Sequence, residues 1–408
     1  MDVVEFPQMI ERGCGLDVHQ GSVVATVRGR DIETITQTFG TFTSELEQLV
    51  CWMQNYGVTH VAMESTGVYW KPVYYVLEPF FEIILVNARH IKNVPGHKTD
   101  KKDSEWIAKL LLSGLLKGSF IPTQSIRELR VLQRHKKKLI HQRTAEKNRL
   151  QNVLEDANIK LGSVVSDVFG KTGMAIIEHL SKGQTDPVFL SNLAKGSLVN
   201  KKDKLQLALY GKFTPHHQFM LELILGNINH INSMIEKVEK QMDSYLMEMN
   251  QEVTLLQTIP GVSRQIATGI LSEIGTNMEK FVSHKHLASW TGVCPGNNES
   301  AGKKKSSRVT QGNKYLKTTL IEAAWSVSHT KNTHFSYKYQ VLASRRGSKK
   351  AAMAIGHKIL TASYFILRDK IEYREPSMSE EMCKKRQELQ MERLQKRLDK
   401  LKVSASKG

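Results

Sequence analysis

The sequence predicts an α/β domain built around a sheet, followed by a mainly α-helical region linked to it through coiled-coil helices. Three observations carry this prediction: β-branched stretches near the start, helical periodicity beyond residue 125, and a heptad seam over residues 221–249. A chain of 408 residues can form two or three domains with separate cores. We divide it into residues 10–125, 126–251, 252–373 and 374–408.

The N-terminal segment alternates between strand and helix patterns. Residues 13–18, 23–28 and 32–39 are apolar, β-branched stretches separated by turn residues, which predicts a three-stranded meander. A helix, a strand, a helix and a strand are then predicted at 44–56, 60–63, 69–77 and 82–86. Pro95 and Gly96 break the chain, and apolar residues from Trp106 to Leu111 recur at helical spacing.

The segment after residue 125 is dominated by helical patterns. Residues 127–149 carry nine Lys/Arg and two acids, which predicts a long, basic, solvent-facing helix. The seam of 221–249 fits packing either on that helix or on a second chain, and we favour a contribution to homo-oligomerisation. Residues 163–212, broken by glycine and proline, form an insertion or a small subdomain.

The C-terminal third is also predicted to be helical. A turn at 259–262 is followed by Ser263, which caps a helix over 264–274. A loop rich in glycine, lysine and serine covers 295–313, and a charged helical tail covers 379–402.

Composition narrows the classes of partner and compartment. A formal net charge of +18 and a pI near 9.6 favour a polyanionic partner, although a basic protein without such a partner is the alternative. No apolar run reaches the roughly 20 residues that span a bilayer, and the first residues lack signal-peptide features, so we expect no membrane partner and a cytoplasmic protein. The four cysteines form no Cys-x-x-Cys pair, which argues against a disulfide framework or zinc ribbon.

Four acids occupy settings that suit one site. Asp17 and Glu64 each stand at the end of a predicted strand, while Asp100 and Asp103 share one face of a helix start. Two strands and a helix could therefore bring four carboxylates together, which would suit two Mg²⁺ ions facing phosphate in an RNase H-like nuclease core.

Each acid also has a structural explanation. Asp100 could be a helix N-cap and Asp103 an N3 acid favoured by the helix dipole. Asp17 could cap the turn that follows it, and Glu64 could pair with a lysine.

Around these residues the sequence resembles the DEDD-type transposases of bacterial insertion sequences, the "one-ten" family. The resemblance is carried by five segments in the same order: GLDVHQ at 15–20, MESTG at 63–67, KTDKKDSE at 98–105, IPG at 259–261 and CPGNNESAGK at 294–303. Two positions depart from the pattern of many relatives, because Ser307 stands where glycine is expected and Lys317 where arginine is usual.

The resemblance implies a RuvC-like N-terminal domain, a coiled-coil segment and a C-terminal transposase domain with a serine nucleophile. By position in the motif, that serine is Ser300, and Asp17, Glu64, Asp100 and Asp103 would be the metal-binding catalytic acids. It further implies DNA partners, namely the element ends and a target, and a structured guide RNA. Ser300 in a merely solvated loop, or Ser306 or Ser307 in its place, is the alternative.

Cations near the serine and on the basic helix are the predicted nucleic-acid contacts. The loop and helix that follow Ser300 carry six Lys/Arg and no acid over 301–317, so they could hold phosphates. The predicted contacts are Lys303, Lys304, Lys305, Arg308, Lys314, Lys317, Arg134, Lys136, Lys137 and Lys138.

The function expected from the sequence is that of a DNA transposase or recombinase, nucleoid-associated when bound. Two other classes stay open. A metal-dependent nuclease or junction resolvase would use water as its nucleophile, and an inactive copy would only bind nucleic acid.

Overall fold

The computed structural model describes residues 9–65, 67–87, 103–294, 298–300, 303–306 and 309–376, together with the single positions 391, 395 and 398. The chain forms two compact units, Met1–Ile121 and Pro122–Gly408. We describe each unit by itself.

The first unit is built on a five-stranded mixed sheet. Its strands are β1 Arg12–Val18, β2 Ser22–Gly29, β3 Ile32–Gly40, β4 His60–Glu64 and β5 Glu82–Val86. Their order across the sheet is β3-β2-β1-β4-β5. The first three strands are antiparallel neighbours, which confirms the predicted meander, whereas β4 lies parallel to both β1 and β5.

In the described residues of this unit the sheet is accompanied by helices α1 Thr43–Asn55, α2 Trp70–Leu77 and α3 Asp103–Leu112. Leu16, Met63 and Leu77 are among the fully buried side chains of its main core. A second cluster places Ile107, Leu110 and Leu111 of α3 against Ala62 and Val86 of the sheet. The predicted helical spacing of these α3 residues is confirmed, whereas the predicted break at Pro95 and Gly96 lies outside the described residues.

The second unit is mainly helical. Its helices are α4 Gln124–Asp156, α5 Leu161–Val164, α6 Lys171–Ser181, α7 Pro187–Ser191, α8 Lys202–Leu209, α9 Pro215–Met247, α10 Asn250–Gln257, α11 Arg264–Ile274, α12 His284–Thr291, α13 Lys314–His329, α14 His334–Arg346 and α15 Ser348–Asp369. A two-stranded hairpin, β6 Asn298–Ser300 and β7 Lys303–Ser306, interrupts them.

The two longest helices, α4 and α9, pack on each other within the chain. Ile231 and Ile235 of the predicted seam are buried against Leu139 of α4. Tyr245 donates a hydrogen bond of 2.7 Å to the Glu128 carboxylate, which joins the same helices near the end of α9. The seam therefore has a partner inside the chain, and the expectation of a solvent-facing α4 is wrong along this face.

The segment that sequence patterns left undefined is a small helical subdomain formed by α5 to α8. Its apolar residues, including Ile176, Ile177 and Leu205, share a core with the end of α4 and the start of α9. The subdomain therefore completes the α4 and α9 pair at one end.

The predicted cap before α11 is confirmed, because Ser263 Oγ accepts a hydrogen bond of 3.3 Å from the amide of Ile266. Gly261 in the preceding turn has a φ of +81°, which favours glycine. The predicted tail at 379–402 lies almost wholly outside the described residues. In the described ranges, no helix is both long and apolar enough to span a bilayer.

Candidate functional site

Strand register places Asp17 and Glu64 side by side at the carboxyl-terminal ends of two neighbouring interior strands. Leu16 of β1 is paired with Met63 of β4, and the two strands are parallel. Asp17 and Glu64 each follow directly after that pair. The carboxyl ends of neighbouring parallel strands thus bring both acids to the same place, as their predicted positions at strand ends required.

Asp103 is brought to these strands by close packing of α3 on β1. Gly15 has no side chain, and a Cβ atom there would lie 2.2 Å from the carbonyl oxygen of Ser104 and 2.4 Å from the amide nitrogen of Ala108. The helix backbone can rest directly on the strand only because this position is glycine. Asp103 opens α3, immediately before Ser104, and so stands in its first turn.

A buried hydroxyl pair fixes the first turn of α3. Ser104 Oγ lies 2.7 Å from Thr26 Oγ1 of β2, and Thr26 Oγ1 lies 2.8 Å from Thr36 Oγ1 of β3. These hydrogen bonds fix the position of α3 along the sheet, because they need particular atoms to meet whereas apolar contacts do not. They hold Asp103 at a fixed height above the sheet.

The pKa of Asp17 reflects the presence of the other two acids. The pKa of Asp17 is raised, chiefly because burial disfavours its charged form and further because Asp103 and Glu64 contribute negative charge nearby. His19 opposes the shift, since its Nε2 lies 3.2 Å from Asp17 Oδ2. The field of each acid therefore reaches Asp17.

The donor atoms suit a hard divalent cation, because Mg²⁺ prefers carboxylate oxygens and because a bound cation would relieve the repulsion among them. Asp100, the fourth predicted ligand, lies outside the described residues. Within the described part of the chain, no three His, Cys, Asp or Glu side chains are grouped closely enough to hold a metal ion. The fit therefore rests on the chemistry of the donors and on their shared field.

The serine segment is a hairpin in the second unit. Ser300 is the last residue of β6 and is paired with Lys303, the first residue of β7. Lys304 is paired with Glu299, and Lys305 lies next to it on the same strand. Ser307 and Arg308 lie outside the described residues.

The two ends of the serine segment meet at a pair of glycines. Gly292 has a φ of +74°, and a Cβ atom on Gly312 would lie 2.4 Å from the amide nitrogen of Gly292. The backbone amide of Asn313 donates a hydrogen bond of 3.3 Å to the carbonyl of Trp290. Lys317 Nζ donates one of 3.1 Å to the carbonyl of Thr310.

Comparison with known proteins identifies the family through both units. Residues 14–159 match a transposase model named for DEDD transposases of IS110, and residues 253–340 match the model of the IS116/IS110/IS902 transposase family. The two matches hold the acids of the first unit and the serine hairpin of the second. The chain belongs to the IS110 family of transposases.

Two curated relatives are pilin gene-inverting proteins from Moraxella bovis and Moraxella lacunata. Each is 32% identical over 149 residues, which cover 35% of this chain and 46% of the relative. The chain thus spans less than half the length of these relatives. Membership of a DEDD family of transposases implies dependence on a divalent metal.

Besides Lys317, three of the predicted nucleic-acid contacts of this transposase have partners inside the helical unit. Arg134 forms two hydrogen bonds of 2.8 Å to the Glu273 carboxylate, and Lys136 Nζ lies 2.7 Å from Glu239 Oε1. Lys137 Nζ donates a hydrogen bond of 2.7 Å to Thr319 Oγ1, and burial lowers the pKa of its ammonium group. Their role in binding nucleic acid stays a prediction. Lys138 and Lys314, by contrast, are exposed.

Sequence patterns missed Glu273, which is 1% exposed and lies in α11. Besides Arg134, its carboxylate accepts a hydrogen bond of 2.6 Å from Asn313 Nδ2 and lies 3.4 Å from Arg130 Nε. Burial lowers the pKa of Arg130 to about 10, against the opposing effect of Glu273. The only signal in the sequence is a carboxylate between apolar residues of a helix, which does not reveal its partners.

Proposed function

We propose that this chain is a DNA transposase that cuts and exchanges strands with a metal site formed by Asp17, Glu64, Asp100 and Asp103, and with Ser300 as nucleophile. The observation that supports it best is that Asp17 and Glu64 lie at the ends of neighbouring parallel strands, while Asp103 begins the helix packed on β1, and that both Glu64 and Asp103 help to raise the pKa of Asp17. Three acids in one field have an evident use where a divalent cation must meet phosphate. Family membership gives the class of protein, and the proposed roles of these residues go beyond it.

We also propose an RNase H-like, RuvC-like core for the first unit. The strand order β3-β2-β1-β4-β5, antiparallel over the first three strands and parallel beyond β1, supports it. In such a core the acids lie on the central strands and on the helix packed across them. Asp17 on β1, Glu64 on β4 and Asp103 on α3 have these positions.

The chemistry divides between the two sets of residues. Bound Mg²⁺, proposed as two ions, would neutralise charge that develops on phosphate oxygens. Asp17, Glu64, Asp100 and Asp103 would hold the cations, and His19, whose Nε2 lies 3.2 Å from Asp17 Oδ2, would orient the Asp17 carboxylate. Ser300 Oγ attacks phosphorus and gives its proton to solvent or to a nearby base, while the P–O bond to one DNA strand end breaks and the released oxygen takes up a proton to become a hydroxyl. The phosphoserine bond conserves energy for rejoining, so no ATP is needed.

The partners are proposed on the same basis. DNA fits the charge of +18, and the name of the Moraxella relatives refers to inversion of a gene. A structured guide RNA and a homo-oligomer follow from the family resemblance, and the site of action would be the cytoplasm, at the nucleoid. Because α4 covers Ile231 and Ile235 of the α9 seam, contacts between protomers would form on other surfaces.

The test measures strand exchange between two DNA substrates. The donor is a plasmid that carries the abutted element ends with their flanking noncoding DNA, and the target is a plasmid library. Wild type is compared with Asp17→Asn and Ser300→Ala. We expect both variants to lose recombinant junctions by a factor of at least about 10³. A denaturation-resistant protein–DNA adduct should form with wild type and be absent from Ser300→Ala. Asp31→Asn, an exposed acid in the β2–β3 turn, and Ser306→Ala on β7 are the matched controls.

Other outcomes favour the alternative functions. Cleavage that persists in Ser300→Ala but not in Asp17→Asn would identify a metal-dependent nuclease whose nucleophile is water. Loss of the adduct in Ser306→Ala in place of Ser300→Ala would move the nucleophile to β7. DNA binding without any metal-dependent cleavage would identify a nucleic-acid-binding protein.

A further inference from the structure

A polar cluster surrounds the buried carboxylate of Glu273 at the end of the serine segment. We define the Glu273 cluster as Arg130 and Arg134 of α4, Glu273 of α11, and Asn313 and Tyr315 at the start of α13. Arg134 makes two hydrogen bonds of 2.8 Å to the Glu273 carboxylate, and its guanidinium carbon lies 4.3 Å from the centre of the Tyr315 ring. Three helices that are distant in sequence thus meet at one carboxylate.

Asn313 connects this cluster to the serine segment. Its Oδ1 accepts hydrogen bonds of 3.0 and 3.1 Å from the amides of Tyr315 and Leu316, which caps α13. Its Nδ2 donates a bond of 2.6 Å to Glu273 Oε2, and its backbone amide bonds to Trp290, near the end of α12. One residue therefore ties the end of the segment to its beginning, to the next helix and to a buried charge.

Stability alone does not account for a cluster of this kind. Removing charges from water costs free energy that their attraction often fails to recover, so an apolar cluster of the same volume would hold the helices as well. A carboxylate that accepts from several fixed donors does, however, specify orientation. The Asn313 amide can satisfy both the helix and Glu273 only with Nδ2 towards the carboxylate.

We propose that Asn313 and Glu273 are positioning residues that set the orientation of the Ser300 hairpin for attack on DNA. This inference rests on the proposed role of Ser300. The serine segment begins after Gly292 and ends at Gly312, where these two glycines are in contact, so the hydrogen bonds of Asn313 fix the two ends from which the hairpin extends. Small displacements of a reacting group cost large factors in rate, about 10²-fold for 1 Å.

The test is Asn313→Asp, which keeps the cap but replaces the Nδ2 donor with an oxygen facing Glu273. We expect the rate of adduct formation on DNA, measured well below the melting temperature, to fall at least about 10-fold, with the affinity for DNA close to that of wild type. The melting temperature itself should fall, because two carboxylates then face each other. Asn277→Asp is the matched control, because Asn277 is exposed and caps the short helix Met278–Lys280 through a bond of 2.8 Å from the Glu279 amide. It should form the adduct at the wild-type rate.

The double variant Glu273→Gln with Asn313→Asp restores a donor opposite an acceptor and should recover part of the lost rate. If these residues only stabilised the fold, the rate losses of the single variants Glu273→Gln and Asn313→Asp would add in the double variant and would follow the melting temperature. That additive result, or a wild-type rate in Asn313→Asp, would overturn the inference. An adduct that survives Ser300→Ala would instead overturn the proposed function beneath it, so the two failures are distinguishable.

Discussion

At the scale of the residue, Gly15 carries more of the candidate site than its size suggests. It lies two residues before Asp17 on β1, and its missing side chain lets the backbone of α3 rest on that strand. The acids supply the chemistry, but this contact sets the distance between Asp103 and the sheet. A change that adds one carbon atom should therefore disturb a site that it does not touch.

Gly15→Ala is expected to destabilise the protein by about 3 kcal/mol, because the new Cβ atom would meet fixed backbone atoms and α3 must move outward. The rate of metal-dependent cleavage should fall even under conditions in which the variant remains folded. Urea unfolding followed by circular dichroism measures the first effect, and cleavage assays at increasing Mg²⁺ concentrations measure the second. Gly21→Ala is the control, since a Cβ atom there meets nothing within 4 Å. Equal effects at both glycines would contradict the explanation.

Single residues also show where prediction from sequence stops. Asp17 and Glu64 could be placed because each ends an apolar stretch, and strand ends are visible in a local pattern. Glu273 could not be placed, because its partners Arg134 and Asn313 lie 139 and 40 positions away. Charge pairing over such separations leaves no periodic signal in one sequence.

At the scale of the element, the seam of α9 illustrates a different limit. The heptad spacing correctly predicted one apolar face on a long helix, and Ile231 and Ile235 are buried on it. Spacing does not specify the partner, which proves to be α4 of the same chain. The short helices α5 to α8 left their arrangement undefined, because glycine and proline interrupt the helical patterns of this segment before one apolar face can be followed.

Ile231→Ala is expected to lower the free energy of unfolding by about 2–5 kcal/mol, because it leaves a cavity between α9 and α4. Urea unfolding checks the loss, and light scattering on a size-exclusion column records the molar mass. Leu223→Ala on the same helix is the control, since Leu223 is 50% exposed and should change stability little. A reduced molar mass with unchanged unfolding would show that the seam serves a second chain.

At the scale of the whole molecule, only some of the cations behind the net charge of +18 are exposed and free of carboxylate partners. Arg130, Arg134 and Lys136 hold carboxylates within the helical unit. The turn between α14 and α15 presents four exposed cations instead: Arg345, Arg346, Lys349 and Lys350. In the described part of the chain these four side chains form no ion pair, and Gly347 with a φ of +83° joins the two helices. Charge alone does not distinguish these cations from Arg130, Arg134 and Lys136 in the sequence, and only the structure separates the exposed cations from the paired ones.

Exchange of these four cations for glutamine should therefore weaken binding to duplex DNA chiefly by reducing the release of counterions. The slope of log K against log salt should become shallower by about 3 to 4, because each phosphate that the protein neutralises contributes about 0.9 to that slope. Fluorescence anisotropy with a labelled duplex over a range of salt concentrations measures it. The control exchanges four exposed lysines of the α5 to α8 subdomain, Lys182, Lys195, Lys201 and Lys204, and so removes the same charge. An unchanged slope in the control would assign the phosphate-binding cations to the turn, because a general effect of net charge would reduce both slopes alike.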